Sequence, residues 1–172
     1  MFNYLSSVDF FALYLIIGCM SSPDIDPNLI YLPILKFEKT DEHAKLPTKN
    51  NESDTGYDVY SVEDKVIPAK GSAIVGVGLK FAHIPEGYWV KVESRSGLGF
   101  KYGVSAHPGI IDNGYRGDAG IKLYNNSDTD YEVKVGDRIA QFVIYMNIHM
   151  HVDWGTVEAS ARGEKGFGSS GK

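Results

Sequence analysis

The sequence predicts an all-β fold, a sandwich or barrel of short strands, and three observations carry this. Apolar and polar residues alternate with period two in several short runs, most strictly at residues 88–93. Gly, Pro and Asn-Asp signals divide these runs at short, regular spacing. There is no strand–helix–strand alternation, which disfavours a doubly wound parallel sheet.

The elements follow in order. Residues 1–28 precede the patterned region. The uncharged apolar run at 10–20 is too short to span a bilayer comfortably. It also lacks a basic n-region, and Asp9 interrupts its start. Two origins stay open for it: a lipoprotein-type leader near Cys19, or an extension upstream of a translation start at Met20. It is taken as an appendage that the fold does not use. Nothing downstream looks secreted, so an intracellular location, cytoplasmic or nuclear, is expected. Residues 21–28 are polar, carry two prolines and read as a linker.

The β domain is expected over 29–157. Residues 29–38 form a first strand in which Pro33 marks an edge or a break. A polar loop covers 40–55, and a short strand over 55–60 is entered through Gly56. Residues 65–68 lead to a turn at Ala69-Lys70-Gly71. The strand at 72–81 carries Ile74, Val75, Val77, Leu79 and Phe81. Pro85-Glu86-Gly87 turns into the strand at 88–93. Only residues 95–102 suit a helical turn. A strand at 121–124, a polar hairpin tip at 125–130 and a strand at 131–135 follow. Gly136-Asp137 turns into a long apolar strand at 139–146. The Gly- and Ser-rich tail, 158–172, is expected to be a flexible arm.

The chain has 172 residues and a net charge of −5, which argues against a non-specific nucleic-acid binder. Cys19 is the lone cysteine, so neither a disulfide framework nor a Cys-based zinc site is available. His149 and His151 share one face of an extended segment, and two ligands without a third make a weak metal signal.

Chemistry concentrates in residues 107–120. Ile110 and Ile111 run into the acid Asp112, then Asn113-Gly114, then Tyr115. Asn-Gly between apolar runs predicts a β-hairpin, because both residues tolerate positive φ. It places a carboxylate on one arm and an aromatic ring at the turn. Ser94-Arg95-Ser96-Gly97-Leu98 follows a strand and offers a guanidinium fork, a hydroxyl and close backbone approach, which together suit an anion. Gly76-Val77-Gly78 lacks the third glycine and the helix of a dinucleotide site. The spacing at 166–172 approaches a P-loop, but no strand precedes it and no helix follows. What remains there is an arm with Arg162 and Phe167, suited to close over an anionic, planar ligand. Within 136–141, Asp137 and Arg138 shape a turn, and Gln141 can point an amide into a site.

Together these segments resemble the homotrimeric dUTPase family, from about residue 32 to the C-terminus. Five motifs of that family stand in order. The first is Thr55-Gly56-Tyr57-Asp58-Val59-Tyr60-Ser61, with Thr55 where the family usually has Ala. The second is Arg95-Ser96-Gly97-Leu98, and the third is Gly109-Ile110-Ile111-Asp112-Asn113-Gly114-Tyr115-Arg116-Gly117. The fourth is Gly136-Asp137-Arg138-Ile139-Ala140-Gln141. The fifth joins Arg162-Gly163 to Gly166-Phe167-Gly168-Ser169-Ser170-Gly171, with Ser170 replacing the usual Thr.

The resemblance implies a distorted jelly-roll, or β-clip, sandwich. It implies hydrolysis of dUTP to dUMP and pyrophosphate with Mg²⁺, in a homotrimer with shared active sites. Asp112 would activate the attacking water. The backbone of residues 109–112 (Gly109, Ile110, Ile111), with Gly120, would hydrogen-bond uracil, and Asn113 and Gly114 would complete that turn. Tyr115 would pack under the deoxyribose and exclude a 2′-hydroxyl. Arg95, Ser96 and Gly97 would hold phosphates, with Gln141 nearby, and Asp58 would reach Mg²⁺ through water. Arg162 would bind the γ-phosphate, Phe167 would stack on uracil, and Gly168 and Ser169 would donate to phosphate. The rival within the same fold, a dCTP deaminase, alone or bifunctional, carries a glutamate at a position that here reads as Lys122, which removes the acid needed for amine expulsion. A nucleotide-binding regulatory member is the alternative from another class.

Overall fold

The computed structural model describes residues 33–161 and Gly163. Period-two patterning produces two four-stranded antiparallel sheets. In the first, β1 (Lys36–Lys39), β4 (Ser72–His83), β8 (Asp118–Asn125) and β6 (Val104–Ala106) lie in the order β1-β4-β8-β6. In the second, β2 (Tyr57–Tyr60), β10 (Arg138–Met146), β5 (Tyr88–Glu93) and β7 (Gly109–Ile111) lie in the order β2-β10-β5-β7. A small ribbon pairs β3 (Lys65–Ile67) with β9 (Tyr131–Val133). The single helix among the described residues is α1 (Ser96–Tyr102), where a helical turn was expected. The fold is jelly-roll-like, and strands adjacent in space are mostly not adjacent in sequence.

The core lies between the sheets. β4 buries Val75, Val77, Leu79 and Phe81, and β8 buries Ala119, Ile121 and Leu123, each on alternate residues. Phe81 on one sheet meets Phe142 on the other with ring centroids 5.5 Å apart, and Phe37 packs 5.0 Å from Phe81. Ile74, read with the apolar run of β4, points outward and is 63% exposed.

Three expectations change. First, residues 107–120 do not form a two-stranded hairpin. β7 pairs with β5 in one sheet and β8 with β4 and β6 in the other, so the Asn113-Gly114 turn crosses between sheets. Neither residue has positive φ. The turn closes through the Tyr115 N–H donating to the Asp112 carbonyl at 2.9 Å. Second, residues 125–130 are not a polar hairpin tip, because β8 and β9 lie in different sheets, although residues 126 and 128–130 are exposed. Asn125 is 1% exposed and donates to the carbonyls of Ile67 (3.0 Å) and Thr129 (2.8 Å), tying the β8 end to β3. Third, the first strand begins at Lys36, beyond Pro33, and residues 29–32 of the expected strand lie outside the described residues. β6, too short to show a period, is an addition.

One device shapes the region that matters below. Between Gly76↔Gly120 and Lys80↔Asp118, β4 carries two more residues than β8. Gly78 sits in this bulge at φ +63°, and a Cβ there would collide with the side chains of Asp41 and Ala44. The bulge displaces the first residues of β8 from a regular ladder.

Candidate active site

The third motif forms a cleft because two strands part. β6 runs beside β8 as far as His107, whose N–H donates to the Lys122 carbonyl at 2.7 Å. The chain then leaves β8 and joins β5 as β7. On the side that β6 vacates, β8 has no strand partner among the described residues, and neither has the outer edge of β7. A cleft of about 260 Å³ opens between them. Gly109, Ile110, Ile111, Asp112, Tyr115 and Gly120, all singled out in the sequence, line it. Val92 and Phe142 contribute from the core, and His107, Asp118 and Lys122 also border the cleft.

Asp112 is exposed at this cleft, and no hydrogen bond or ion pair holds its carboxylate among the described residues. The Tyr115 hydroxyl donates to the Asp118 carbonyl at 3.0 Å, which lays the ring across Gly117. A Cβ on Gly117 would overlap that ring and its hydroxyl. Asn113 and Gly114 do not line the cleft. Asn113 turns its amide away, toward the Ile84 and Pro85 carbonyls.

The first, second and fourth motifs meet in a second, strongly polar cleft of about 430 Å³. Asp58, Arg95, Ser96, Gly97 and Gln141 line it, with Asp54, Thr55, Gly56 and Arg138. On the outer face of the second sheet, Asp58, Gln141 and Glu93 stand opposite one another across three strands. Asp58 is gripped from both sides: Arg95 Nε donates to Oδ1 at 2.7 Å and Arg138 donates to Oδ2 at 3.0 Å. Arg95 also donates to the Arg138 carbonyl at 3.1 Å. Gln141 Nε2 donates to the Ser94 carbonyl at 2.9 Å. Its amide lies over Gly56, where any Cβ would overlap it. Arg95 and Arg138 are matched in number by Asp54 and Asp58, so what suits this lining to an anion is the cluster of guanidinium donors beside Ser96 and Gly97, not a net charge.

The sequence reading assigned neither Arg138 nor Gly56 to the site. Strict alternation from Gln141 puts Arg138 on the opposite face. A register shift between Arg138 and Ala140 restores it to the Asp58 side, opposite Tyr60, and leaves both Ile139 and Ala140 buried. Gly56 carries no chemistry of its own and matters as the space Gln141 occupies.

The two clefts share no lining residue. Consecutive residues of β10 contribute to them, Phe142 to one and Gln141 to the other, and consecutive strand residues point to opposite faces. Arg162, Phe167, Gly168 and Ser169 lie outside the described residues. His149 and His151 are both exposed, and the described residues hold no group of three or more His, Cys, Asp or Glu suited to a metal ion.

Comparison with known proteins bears directly on this arrangement. The dUTPase family model matches residues 42–171. The chain belongs to the dUTPase family. A deoxyuridine 5′-triphosphate nucleotidohydrolase of Oryza sativa subsp. japonica is 44% identical over 140 residues, spanning 81% of this chain and 81% of the relative. The Arabidopsis thaliana protein of the same name is 40% identical over 140 residues, 81% of this chain and 84% of the relative. Among solved structures, the dUTPase of Staphylococcus bacteriophage 80alpha with dUpNHpp superposes with a TM-score of 0.75 at 30% identity, covering 81% of this chain and 99% of that one. A mutant dUTPase from phage phi11 of S. aureus, described with a structural Mg(II) ion, gives 0.67 at 27% identity, covering 74% and 99%. In the dUTPase frame, the matched region includes every residue of both clefts.

Proposed function

We propose that this protein hydrolyses dUTP to dUMP and pyrophosphate, limiting uracil incorporation into DNA and supplying dUMP for dTMP synthesis. The observation that carries this is the β7–β8 cleft, walled by main chain that has no strand partner on that side among the described residues, with Asp112, whose carboxylate none of them engages, beside it. Backbone N–H and C=O groups of residues 109–111 and of Gly120 that face away from the β5 and β4 ladders can pair with the edge of a pyrimidine ring. A site that hydrogen-bonds its base discriminates strongly against the wrong polar pattern. The Tyr115 ring, held by Asp118, occupies the place of a sugar platform and leaves no room for a 2′-hydroxyl. Asp112 accepts a proton from water as the water attacks. The anhydride between the α- and β-phosphoryl groups breaks, and pyrophosphate carries away the electron pair. General-base assistance of this kind contributes typically about 10²–10⁴-fold.

The polar cleft takes the triphosphate. Arg95, Arg138 and the backbone of Ser96 and Gly97 provide donors, and Gln141 is fixed beside them by Ser94. Asp58 is the cleft carboxylate aligned with both arginines, and both its oxygens are engaged. Mg²⁺ generally keeps several waters and binds through one or two carboxylates plus substrate phosphates. This donor set therefore fits an ion that arrives on the triphosphate, with Asp58 reaching its water shell, rather than a resident ion. Such an ion, when bound, screens the phosphate charges. Arg162, Phe167, Gly168 and Ser169 keep the roles that family resemblance gives them, closing over γ-phosphate and uracil.

The active assembly we propose is a homotrimer with shared sites. Base and phosphate clefts of one chain lie on opposite sides of the second sheet, so one nucleotide fills both only if they come from different copies. Past β10 the chain alternates Met146, Ile148, Met150, Val152 and Trp154 against polar residues, with Trp154 fully exposed. Alternation of that kind, unpaired in the single chain, suits a strand laid on a neighbour. The intracellular location remains part of the proposal.

Pyrophosphate release with dUTP, dCTP, dTTP and UTP tests the function. Turnover confined to dUTP is the expected result, and ammonia release from dCTP would instead indicate the deaminase. Mixing Asp112→Asn with Arg95→Ala protein, after subunit exchange, should restore activity if sites are shared.

A further inference from the structure

We infer that Asn113 is a positioning residue for the reaction: its amide fixes the backbone of the turn that carries Asp112. This rests on Asp112 being the base proposed above. Asn113 Nδ2 donates to the Ile84 carbonyl at 2.9 Å and the Pro85 carbonyl at 2.7 Å, with the Tyr88 carbonyl at 3.4 Å. An amide NH₂ has two hydrogens, so the two short bonds use both and leave none for a nucleotide. Ile84 is 1% exposed, which makes the anchor part of the core.

The β4–β5 turn that receives this amide is itself fixed. Tyr88 N–H donates to the Pro85 carbonyl at 3.1 Å, and Asn147 N–H, at the exit of β10, donates to the Gly87 carbonyl at 2.8 Å. On its solvent side, Arg116 donates to the carbonyls of Asn113 and Tyr115, each at 2.7 Å. Thus the turn is held from the core by Asn113 and from outside by Arg116. No partner among the described residues holds the Asp112 side chain. Its position is set by its backbone, and that backbone is set by the residue beside it. Replacing Asn113 frees the turn from the β4–β5 loop without touching either cleft.

The experiment measures kcat, KM and analogue affinity for Asn113→Ala in the wild-type and Asp112→Asn backgrounds. In the wild-type background kcat should fall roughly ten-fold or more, the scale of a sub-ångström to ångström misplacement of a reacting group. KM for dUTP and affinity for a non-hydrolysable analogue should stay within about threefold. In the Asp112→Asn background the same change should cost less than about twofold further, because the group it positions is gone. A kcat near wild type, a loss confined to KM, or an undiminished loss in the double variant would each overturn the inference. If Asn113→Ala does not fold, Asn113→Ser keeps a short donor and gives the same cycle. An inactive Asp112→Asn beside an unaffected Asn113→Ala removes this inference alone. A fully active Asp112→Asn removes the proposed base and this inference with it.

Discussion

The β7–β8 cleft presents main chain to its ligand, whereas the polar cleft presents side chains. The first exists because β6 and β8 part at His107 and Lys122, which leaves amides and carbonyls without a strand partner among the described residues. The second exists because a bulge in β10 brings Arg138 to the Asp58 face, where two guanidiniums share one carboxylate. Main-chain groups cannot be substituted, so such a cleft is altered only through bulk and through the turn that shapes it. A side-chain cleft is altered charge by charge. Under the proposed function, rigid recognition of a base and adjustable grip on a flexible polyphosphate would thereby be separated between the two clefts.

Asp112→Asn tests the first cleft most severely. The amide keeps the shape and loses the base, so kcat should fall by at least roughly 10²-fold while analogue affinity is retained. Single-turnover kinetics beside calorimetric binding would check it. Near-normal turnover would place the chemistry outside the β7–β8 cleft and break the comparison.

Gly117→Ala should act through bulk. The new methyl overlaps the Tyr115 ring, which must leave the Asp118 carbonyl. We expect kcat/KM for dUTP to drop about ten-fold, on the order of 1–1.5 kcal/mol of transition-state stabilisation. Discrimination against UTP should weaken in the same variant. Unchanged dUTP-to-UTP preference would show that the ring does not gate the sugar.

How far the sequence revealed this division depends on the physics at each residue. β5 was legible because burial on one face imposes period two, and Tyr88–Glu93 matches its expected span, while β10 was legible as a long apolar run. The helical turn expected over 95–102 matches α1. Asn113 was misread: Asn-Gly suggested a positive-φ hairpin turn, but φ is negative at both residues and the Asn is there for its amide. Asn125 looked like solvated loop because a buried polar residue is recognisable only through distant partners. Arg138 was hidden by the bulge, since a single extra residue reverses the face that alternation predicts. Asp112, Tyr115, Arg95 and Asp58 were singled out because their chemistry, with the family resemblance, stands out locally. Their division into two clefts depends on strand order, which local patterning does not encode.

Gly56→Ala sharpens the comparison from the other side. Its methyl displaces the Gln141 amide and breaks the bond to Ser94. Affinity for a dUTP analogue should fall roughly three- to ten-fold, near the value of one hydrogen bond. Affinity for deoxyuridine should not change, because the base cleft is untouched. Equal losses for nucleoside and nucleotide would mean that the clefts do not divide base from phosphate.

The smallest effect is expected at Asp64, which lies in neither cleft and serves as the control for charge alone. The Val135 N–H bonds its carboxylate at 2.9 Å and is the main cause of a pKa held below the ordinary carboxylate value, with Lys134 adding to it. A depressed folded-state pKa means that the ionised group contributes stability above the unfolded value of about 4. That contribution disappears as pH falls through the lower folded value. Asp64→Asn should therefore leave stability close to wild type in strong acid and slightly reduced near neutrality, so that the two unfolding profiles converge below about pH 4. Thermal melts across pH 2–7 would show the convergence. Steady-state kinetics with dUTP should be unaffected. If removing this remote charge changed KM as much as Gly56→Ala does, the polar cleft would be responding to the overall field of the protein, and its local geometry would not explain phosphate binding.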